Sequence, residues 1–258
     1  MVKNDISPAS LLEGLSTEFV GRRILYYPAI PSTMNEAKRA AREGVVEGTI
    51  VIAEQQTAGR GRLGRAWLSP RGNIALSLIV RPSLEQLPRL NMVASLATVH
   101  CIEKVTGLKA EIKWPNDILI GGNKVCGILI ESALRKGSVD WAIIGIGINI
   151  DLDASSLPEL AATSLCYELG HEEVSRLELL KCLLGELERF YLAVRRGEPI
   201  HEQWQKRLVT LGKTVRLKSA GVVEEGYAEA VDEDGYLMLR RPDGDLIRIA
   251  GGEATLLP

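Results

Sequence analysis

The chain has 258 residues, enough for one large domain or two unequal ones. Hydrophobic residues make up 46 % and charged residues 25 %, a globular mix that excludes disorder as the main state. Thirty-one Lys and Arg against 33 Asp and Glu leave a net charge of −2, which excludes a bulk polyanion binder. Aromatic residues are only 5 %, so aliphatic side chains must build the core.

The first twenty residues contain no long apolar run, and the run 142–150 is too short to cross a bilayer. Neither a secretory leader nor a membrane span is expected. Cys101, Cys126, Cys166 and Cys182 form no C-x-x-C pair, and His100, His171 and His201 have no H-x-x-x-H spacing. No metal-ligand set is read from them, and a cytoplasmic chain with free, buried thiols is expected.

In chain order, Ile24–Tyr27 reads as a strand stopped by Pro28, and 31–44 reads as a helix. Thr33 and Glu36 have capping-box spacing there, and Gly44 can close the helix. Thr49–Ala53 is a short strand, and a polar Gly/Arg loop runs from Gln55 to Arg71. Asn73–Val80 alternates, with Ile74, Leu76, Leu78 and Val80 on one face, which predicts a half-buried strand. Leu90–Val105 is a helix with Gly107 past its end. Strands follow at Ile112–Trp114, Asp117–Ile120, Val125–Leu134 and Val139–Ile150, the middle pair forming a hairpin across GGNK, with the turn RKGS after it. On the last strand Trp141, Ile143, Gly145, Gly147 and Asn149 share a face. Its two glycines leave a bare patch, open either to a ligand or to a packed helix.

Ser175 and Glu178 make a second capping box. Leu177, Leu180, Leu184, Leu187, Tyr191 and Val194 then recur at helical spacing up to Gly197, and a shorter helix is read over Pro199–Leu211. After Gly212 come short strands at Val215–Lys218, Val222–Val231, Tyr236–Arg240 and Leu246–Ala250, separated by Ala-Gly and Asp-Gly turns. This is a small β module, read as a barrel, with the boundary near residue 212. From residue 213 on it carries six basic and nine acidic residues, net −3, which disfavours nucleic acid.

Between Gln55 and Leu84 there is no Asp or Glu, but Arg60, Arg62, Arg65, Arg71 and Arg81 give net +5. The centre reads GRGRLGRAW, three arginines among Gly59, Gly61 and Gly64, ending at Trp67. Glycine lets backbone approach a ligand, and the guanidinium fork matches phosphate or carboxylate oxygens. The bland alternative is a solvated basic loop. A second cluster, KWPNDILIGGNK, places Lys113 and Lys124 on either side of Asn116 and Asp117. No nucleophile elbow, P-loop or dinucleotide fingerprint is present, so the chemistry read from the residues is electrostatic stabilisation of phosphoryl or adenylyl transfer.

These motifs, in this order, resemble the biotin protein ligases: PSTMNEA at 31–37, AEQQTAGRGRLGRAWLSP at 53–70, KWPNDI at 113–118, KVCGILIE at 124–131, IGIGINI at 144–150 and GGEATL at 251–256. The resemblance implies an α+β fold: a mixed β-sheet catalytic domain flanked by helices over 1–211, plus a small C-terminal SH3-like β-barrel over 212–258. It implies attack of the biotin carboxylate on the α-phosphate of ATP, with Mg2+ accompanying the nucleotide. Biotinyl-5′-AMP and pyrophosphate form, and biotin then passes to a lysine of a biotin carboxyl carrier protein of a biotin-dependent carboxylase, such as acetyl-CoA carboxylase.

Site residues carry over by position. Ser32, Thr33 and Gln56 resemble the residues that bind biotin's ureido ring and tail. Gly59, Arg60, Gly61 and Arg62 resemble the loop that closes over biotin and its adenylate. Arg62, Arg65 and Lys113 would face phosphates, and Trp67 would pack beside the adenine. Lys124 matches the lysine at the biotin carboxylate and α-phosphate, so Lys124, Arg62 and Arg65 are the expected catalytic cations. Gly127 and Gly145 match biotin-pocket positions, which decides the bare patch at Gly145 toward the ligand. Asn116, Asp117 and Asn149 resemble polar residues on the nucleotide and metal side.

Regulatory members carry a winged helix-turn-helix ahead of the catalytic domain. About thirty residues precede Ser32 here, too few for such a module, so neither repressor function nor DNA binding is expected. Some members carry a further arginine near ATP after the closing motif; with Leu256, Leu257 and Pro258 there instead, no C-terminal contribution to ATP binding is expected. An exposed sheet edge could pair in a homodimer. Two other readings stand beside the ligase: a lipoate or octanoate ligase or transferase, which the GRGR-x-GR-x-W loop does not favour, and a non-enzymatic nucleotide or RNA binder.

Overall fold

The computed structural model describes residues 6–152, 161–219 and 221–257. It opens with a short helix, α1 (Pro8–Leu12), then β1 (Ile24–Tyr27), α2 (Thr33–Arg42), β2 (Ile50–Ala53) and β3 (Ile74–Val80). The long α3 (Leu90–Thr106) ends at Gly107 in the left-handed conformation, as expected of a glycine C-cap. Four strands follow: β4 (Glu111–Lys113), β5 (Asp117–Ile120), β6 (Asn123–Arg135) and β7 (Ser138–Ile148). After α4 (Leu165–Glu168) and α5 (Arg176–Arg195) comes α6 (His201–Gln205). The chain closes with β8 (Thr214–Ser219), β9 (Val222–Val231), β10 (Leu237–Arg240), β11 (Leu246–Ile249) and β12 (Glu253–Leu256).

The first sheet has the order β1-β2-β3-β7-β6-β5-β4, and the second β11-β10-β9-β8-β12. Only β1 and β2 pair in parallel, joined by the crossover helix α2; all other pairs are antiparallel. This is the expected α+β architecture. Both expected tight turns form as two-residue hairpins. Gly121 and Gly122 join Ile120 to Asn123, and Lys136 and Gly137 join Arg135 to Ser138, each residue at positive φ. Ala220, in the turn expected after β8, lies outside the described residues.

Period-2 alternation along β7 splits its side chains between two cores. Ile144, Ile146 and Ile148 face the large core with α3 and α5, while Trp141 and Ile143 face α2. There Met34, Ala37, Ala40 and Ala41 of α2 close over Val51 and Ile79. The second sheet shares the large core through Val215, Leu217, Leu237 and Leu239. Trp114 binds it by donating its Nε1–H to the Gly235 carbonyl at 3.0 Å, and Arg89 pairs with Asp234 at 3.1 Å.

Several elements differ from expectation. β3 is buried at all seven positions, because helices cover both faces of the sheet and β2 and β7 cover both of its edges. The helix expected over Pro199–Leu211 stops at Gln205. Arg207 and Val209 instead bond Ile112, at 2.9 Å each, so the chain covers the β4 edge rather than continuing as a helix. Ser175 caps α5 through Glu178 as expected. Thr33 does not cap α2: Ser32 is its N-cap residue and makes no side-chain cap bond, while Glu36 accepts from the Tyr27 hydroxyl at 2.7 Å and pairs with Arg39. The short α1 and α4 and the strand β12 carry no periodic signal long enough to read.

Candidate functional site

The site lies where α2 stops covering its face of the first sheet. Strand register brings Ala75, Gly147, Gly127 and Asp117 into one row across β3, β7, β6 and β5. The neighbouring row is Ser77, Gly145 and Leu129. Two adjacent glycines thus make a lane with no side chains of its own, and a cavity of about 140 Å³ lies against it. Its end toward α2 is closed by Met34, whose Sδ would be 2.5 Å from a Cβ at Gly145.

The basic loop folds over this lane. Gly61 N–H donates to Arg65 O at 2.8 Å, and Trp67 N–H to Gly59 O at 2.9 Å, so the loop closes on itself. A Cβ at Gly59 would sit 2.4 Å from the Trp67 carbonyl oxygen, which is why this position needs glycine. The turn seats the Trp67 indole in the lane: a Cβ at Gly147 would be 2.3 Å from its Nε1, and one at Gly127 3.0 Å from its Cζ3. Lys124 Nζ lies 5.4 Å from the indole centroid, within cation–π range.

Charge is unevenly compensated in the cleft. Lys124 pairs with Asp117 at 2.6 Å, and Arg65 makes a two-pronged pair with Glu253 of β12, both bonds 2.6 Å. Arg60 bonds Asn35 at 2.9 Å and Glu131 at 3.1 Å. Arg62 has no carboxylate within ion-pair distance among the described residues; it donates to the neutral Asn116 Oδ1 at 2.6 Å. Burial pushes its pKa down, and the more distant Asp117 and Glu253 offset this only in part. A guanidinium stays protonated at neutral pH regardless, so this is a half-buried cation short of an anion. Lys113 also lines the cleft with no ion pair among the described residues.

The Arg65 pair ties the loop to the second sheet. Hydrogen bonding and attraction from Arg65 hold the Glu253 carboxyl below its ordinary value of 4.5. A depressed carboxyl contributes fully above that value, and its contribution is lost as pH falls through the lowered one. The tie is therefore intact at neutral pH and opens in acid. Glu253→Gln is expected to raise the rate of tryptic cleavage after Arg62 and Arg65 several-fold at neutral pH. In acid, with an acid-active protease, variant and parent should converge; a parent loop cut equally fast at both pH values would contradict this.

Most predicted site residues converge. Thr33, Gln56, Arg60, Gly61, Arg62, Arg65, Trp67, Lys113, Asn116, Asp117, Lys124, Gly127 and Gly145 all line the cavity. Three do not. Gly59 shapes the loop from behind. Asn149 is buried and donates to the Thr163 carbonyl at 3.1 Å, anchoring the segment after β7. Ser32 is buried at the head of α2, and its Oγ has no hydrogen-bond partner among the described residues. Gly145 meets both of its readings, since it lines the cavity and receives a helix residue. Arg71 and Arg81 of the basic window stay away; Arg81 is spent on the Asp140 and Val45 carbonyls. Sequence reasoning passed over Ser77, Glu131 and Glu253. The two glutamates stand inside quoted motifs, but nothing local marks them as partners of the loop.

The comparisons agree with this geometry. Residues 26–149 match the biotin/lipoate A/B protein ligase family, and residues 210–257 match the biotin protein ligase C terminal domain. The chain is 36 % identical to the bifunctional ligase/repressor BirA of Bacillus subtilis, over 93 % of this chain and 76 % of that protein. This chain belongs to the biotin/lipoate protein ligase family. Another relative is the biotin–[acetyl-CoA-carboxylase] ligase of Paracoccus denitrificans, 35 % identical over 83 % of this chain and 92 % of that one. Among solved structures, the biotin protein ligase from Aquifex aeolicus in complex with biotin and ATP aligns with a TM-score of 0.76 and 29 % identity. That alignment covers 92 % of this chain and 99 % of the other. The loop and the glycine lane of this ligase lie in the first matched segment, and Glu253 lies in the second.

Proposed function

We propose that the chain is an ATP-dependent biotin–protein ligase that works through biotinyl-5′-AMP. The observation that carries this is Arg62, a half-buried cation whose side chain bonds, among the described residues, a neutral amide rather than a carboxylate, in a cavity laid against the glycine lane. The cavity beside the lane, bounded by the Met34 and Trp67 side chains that rest on its glycines, offers room for an acyl group, and the cation favours an anion there. In the first step an oxygen of the biotin carboxylate bonds the α-phosphorus, and the bond to pyrophosphate breaks. In the second, the amine of a carrier-protein lysine bonds the acyl carbon, AMP leaves with the electron pair, and the ammonium proton passes to solvent.

Arg62 and Lys124 stabilise charge where the two anions meet, with Lys113 and Arg65 on the phosphate side. Lys124 and Arg65 must each exchange a carboxylate partner for phosphate oxygens. Trp67, seated on Gly127 and Gly147, walls the cavity, and packing beside the adenine is the role carried over to it. Thr33 and Gln56 hold the ring end of biotin, with Ser32 behind them at the head of α2, its Oγ without a partner among the described residues. Among the described residues no group of three or more acidic, His or Cys side chains gathers. Mg2+ would arrive with the nucleotide and neutralise phosphate charge, and Asp117 and Glu253 are carboxylates that line the cleft. Residues 212–258 act as a module that closes the phosphate side through Glu253.

The carrier is a biotin carboxyl carrier protein of a biotin-dependent carboxylase. A homodimer would use the β1 edge, since β4 is covered by residues 207–209. Among the described residues no helix is long and apolar enough to cross a membrane, and all four cysteines are free. Both fit work in the cytoplasm.

The test is ATP–pyrophosphate exchange. Exchange should require biotin and fail with lipoate. Equal exchange with lipoate, or exchange with neither acid, would overturn the reading. Arg62→Ala is expected to release biotinyl-AMP about 10–100-fold faster, the worth of one charge-assisted contact of roughly 1.5–3 kcal/mol. Unchanged release would remove Arg62 from the adenylate.

A further inference from the structure

Lys218 of β8 stands directly opposite Glu253 of β12 in the antiparallel register. Opposed residues on such strands project to the same face, with Cβ atoms about 4.5–5.5 Å apart, a gap that a lysine arm spans easily. The alternation agrees: Val215, Leu217 and Ala254 are buried beneath the second sheet, and Lys218 is exposed on its outer face. Arg216, on that same outer face, is spent on Glu225 at 2.5 Å. Lys218 makes no ion pair among the described residues, and it lies outside the cavity lining. Its charge is nonetheless felt at Glu253. Arg65 acts most strongly on that carboxyl, and Lys113 and Lys218 pull in the same direction.

The Arg65–Glu253 pair occupies a cation that the nucleotide needs. When phosphate oxygens take Arg65, Glu253 is left as an unpaired carboxylate on the cleft wall, facing an incoming polyanion. Of the two other cations that act on Glu253, Lys113 lines the cleft and is drawn to the same phosphates. Lys218 alone stands outside the cleft, across the strand pair. We propose that Lys218 is a positioning residue that receives Glu253 when nucleotide phosphates displace it from Arg65, so that the carboxylate is neutralised and drawn out of the cleft. The inference rests on the ligase reading, in which the anion that claims Arg65 is ATP. Lys218 acts on the nucleotide only through Glu253, and its effect falls on ATP binding rather than on the chemical step.

The experiment is a double-mutant cycle read by pyrophosphate exchange at low salt. Lys218→Met should raise KM for ATP about three- to fivefold, the scale of one partly exposed ion pair, and leave kcat and KM for biotin unchanged. Lys218→Arg should keep the parental values, and high salt should erase the difference between Lys218→Met and parent. In a Glu253→Gln background, where there is no carboxylate to receive, Lys218→Met should leave KM for ATP where Glu253→Gln alone sets it. The same rise in both backgrounds would mean that Lys218 attracts the nucleotide directly, and would overturn the inference. An unchanged KM for ATP in Lys218→Met alone would overturn it as well. A parent enzyme without biotin-dependent exchange would instead sink the ligase reading, so the two failures are separable.

Discussion

Lys124→Ala is expected to lower biotin-dependent pyrophosphate exchange by about 10²–10³-fold, the usual cost of removing one preorganised charge-stabilising donor. The reason is where the ammonium sits. Lys124 is the second residue of β6, beside the glycine lane, its Nζ held by Asp117 at 2.6 Å and 5.4 Å from the Trp67 ring centroid. A carboxylate approaching a triphosphate along that lane brings two anions together, and negative charge builds where they meet. A fixed cation there lowers the barrier without reorganising at the moment of reaction. The fold should survive, because the side chain is about one-third exposed and anchors no core element. Thermal unfolding of the variant should therefore match the parent closely. Parental exchange rates in Lys124→Ala would remove Lys124 from the adenylation step.

Gly147→Ala is expected to weaken biotin binding by roughly 30–150-fold, equivalent to about 2–3 kcal/mol of overpacking. Gly147 sits inside β7, and the strand itself can take alanine; the conflict is steric. The new Cβ would lie 2.3 Å from Trp67 Nε1 and 2.5 Å from its Cε2. Both glycine-side neighbours are aromatic ring atoms on a loop closed by the Trp67–Gly59 bond, so the indole must leave the lane and the loop must shift with it. Gly127→Ala should cost less, since its Cβ would meet the ring at 3.0 Å, where a small ring shift suffices. Calorimetric titration of biotin reads the ranking, and a red shift in tryptophan emission would report the displaced indole. Biotin affinity unchanged in Gly147→Ala would show that the indole is not a wall of the biotin site.

The two kinds of prediction draw on different levels of information. Local chemistry was legible along the chain. Helix and strand periods located most of the elements to within two residues, and glycine turns marked both tight hairpins. The run of arginines and glycines pointed to an anion site because no acidic residue interrupts it. Ser175 and Glu178 cap α5 because a capping box needs only neighbours three residues apart.

Where local rules met a competing long-range partner, they failed. Thr33 has capping-box spacing, but its hydroxyl is used by Gln56 and Ser77. Residues after Gln205 have helical spacing, but the open β4 edge offered backbone bonds that a helix would have left unmade. Asn149, placed on the nucleotide side by the resemblance, is buried and donates to the Thr163 carbonyl.

The sequence alone therefore determined the segmentation, the uncompensated positive charge of the loop and the family to which the chain belongs. Tertiary structure decided which of five arginines converge. Arg60, Arg62 and Arg65 reach the cleft, while Arg81 is held by carbonyls elsewhere. It also decided that Gly127 and Gly147 lie side by side, that Glu253 reaches Arg65 from 188 residues away, and that Ser77 stands behind Thr33. The physical reason is that periodicity and turn chemistry act between near neighbours along the chain. Strand register and charge pairing are set by which segments the folded core brings together, and no local pattern carries that information.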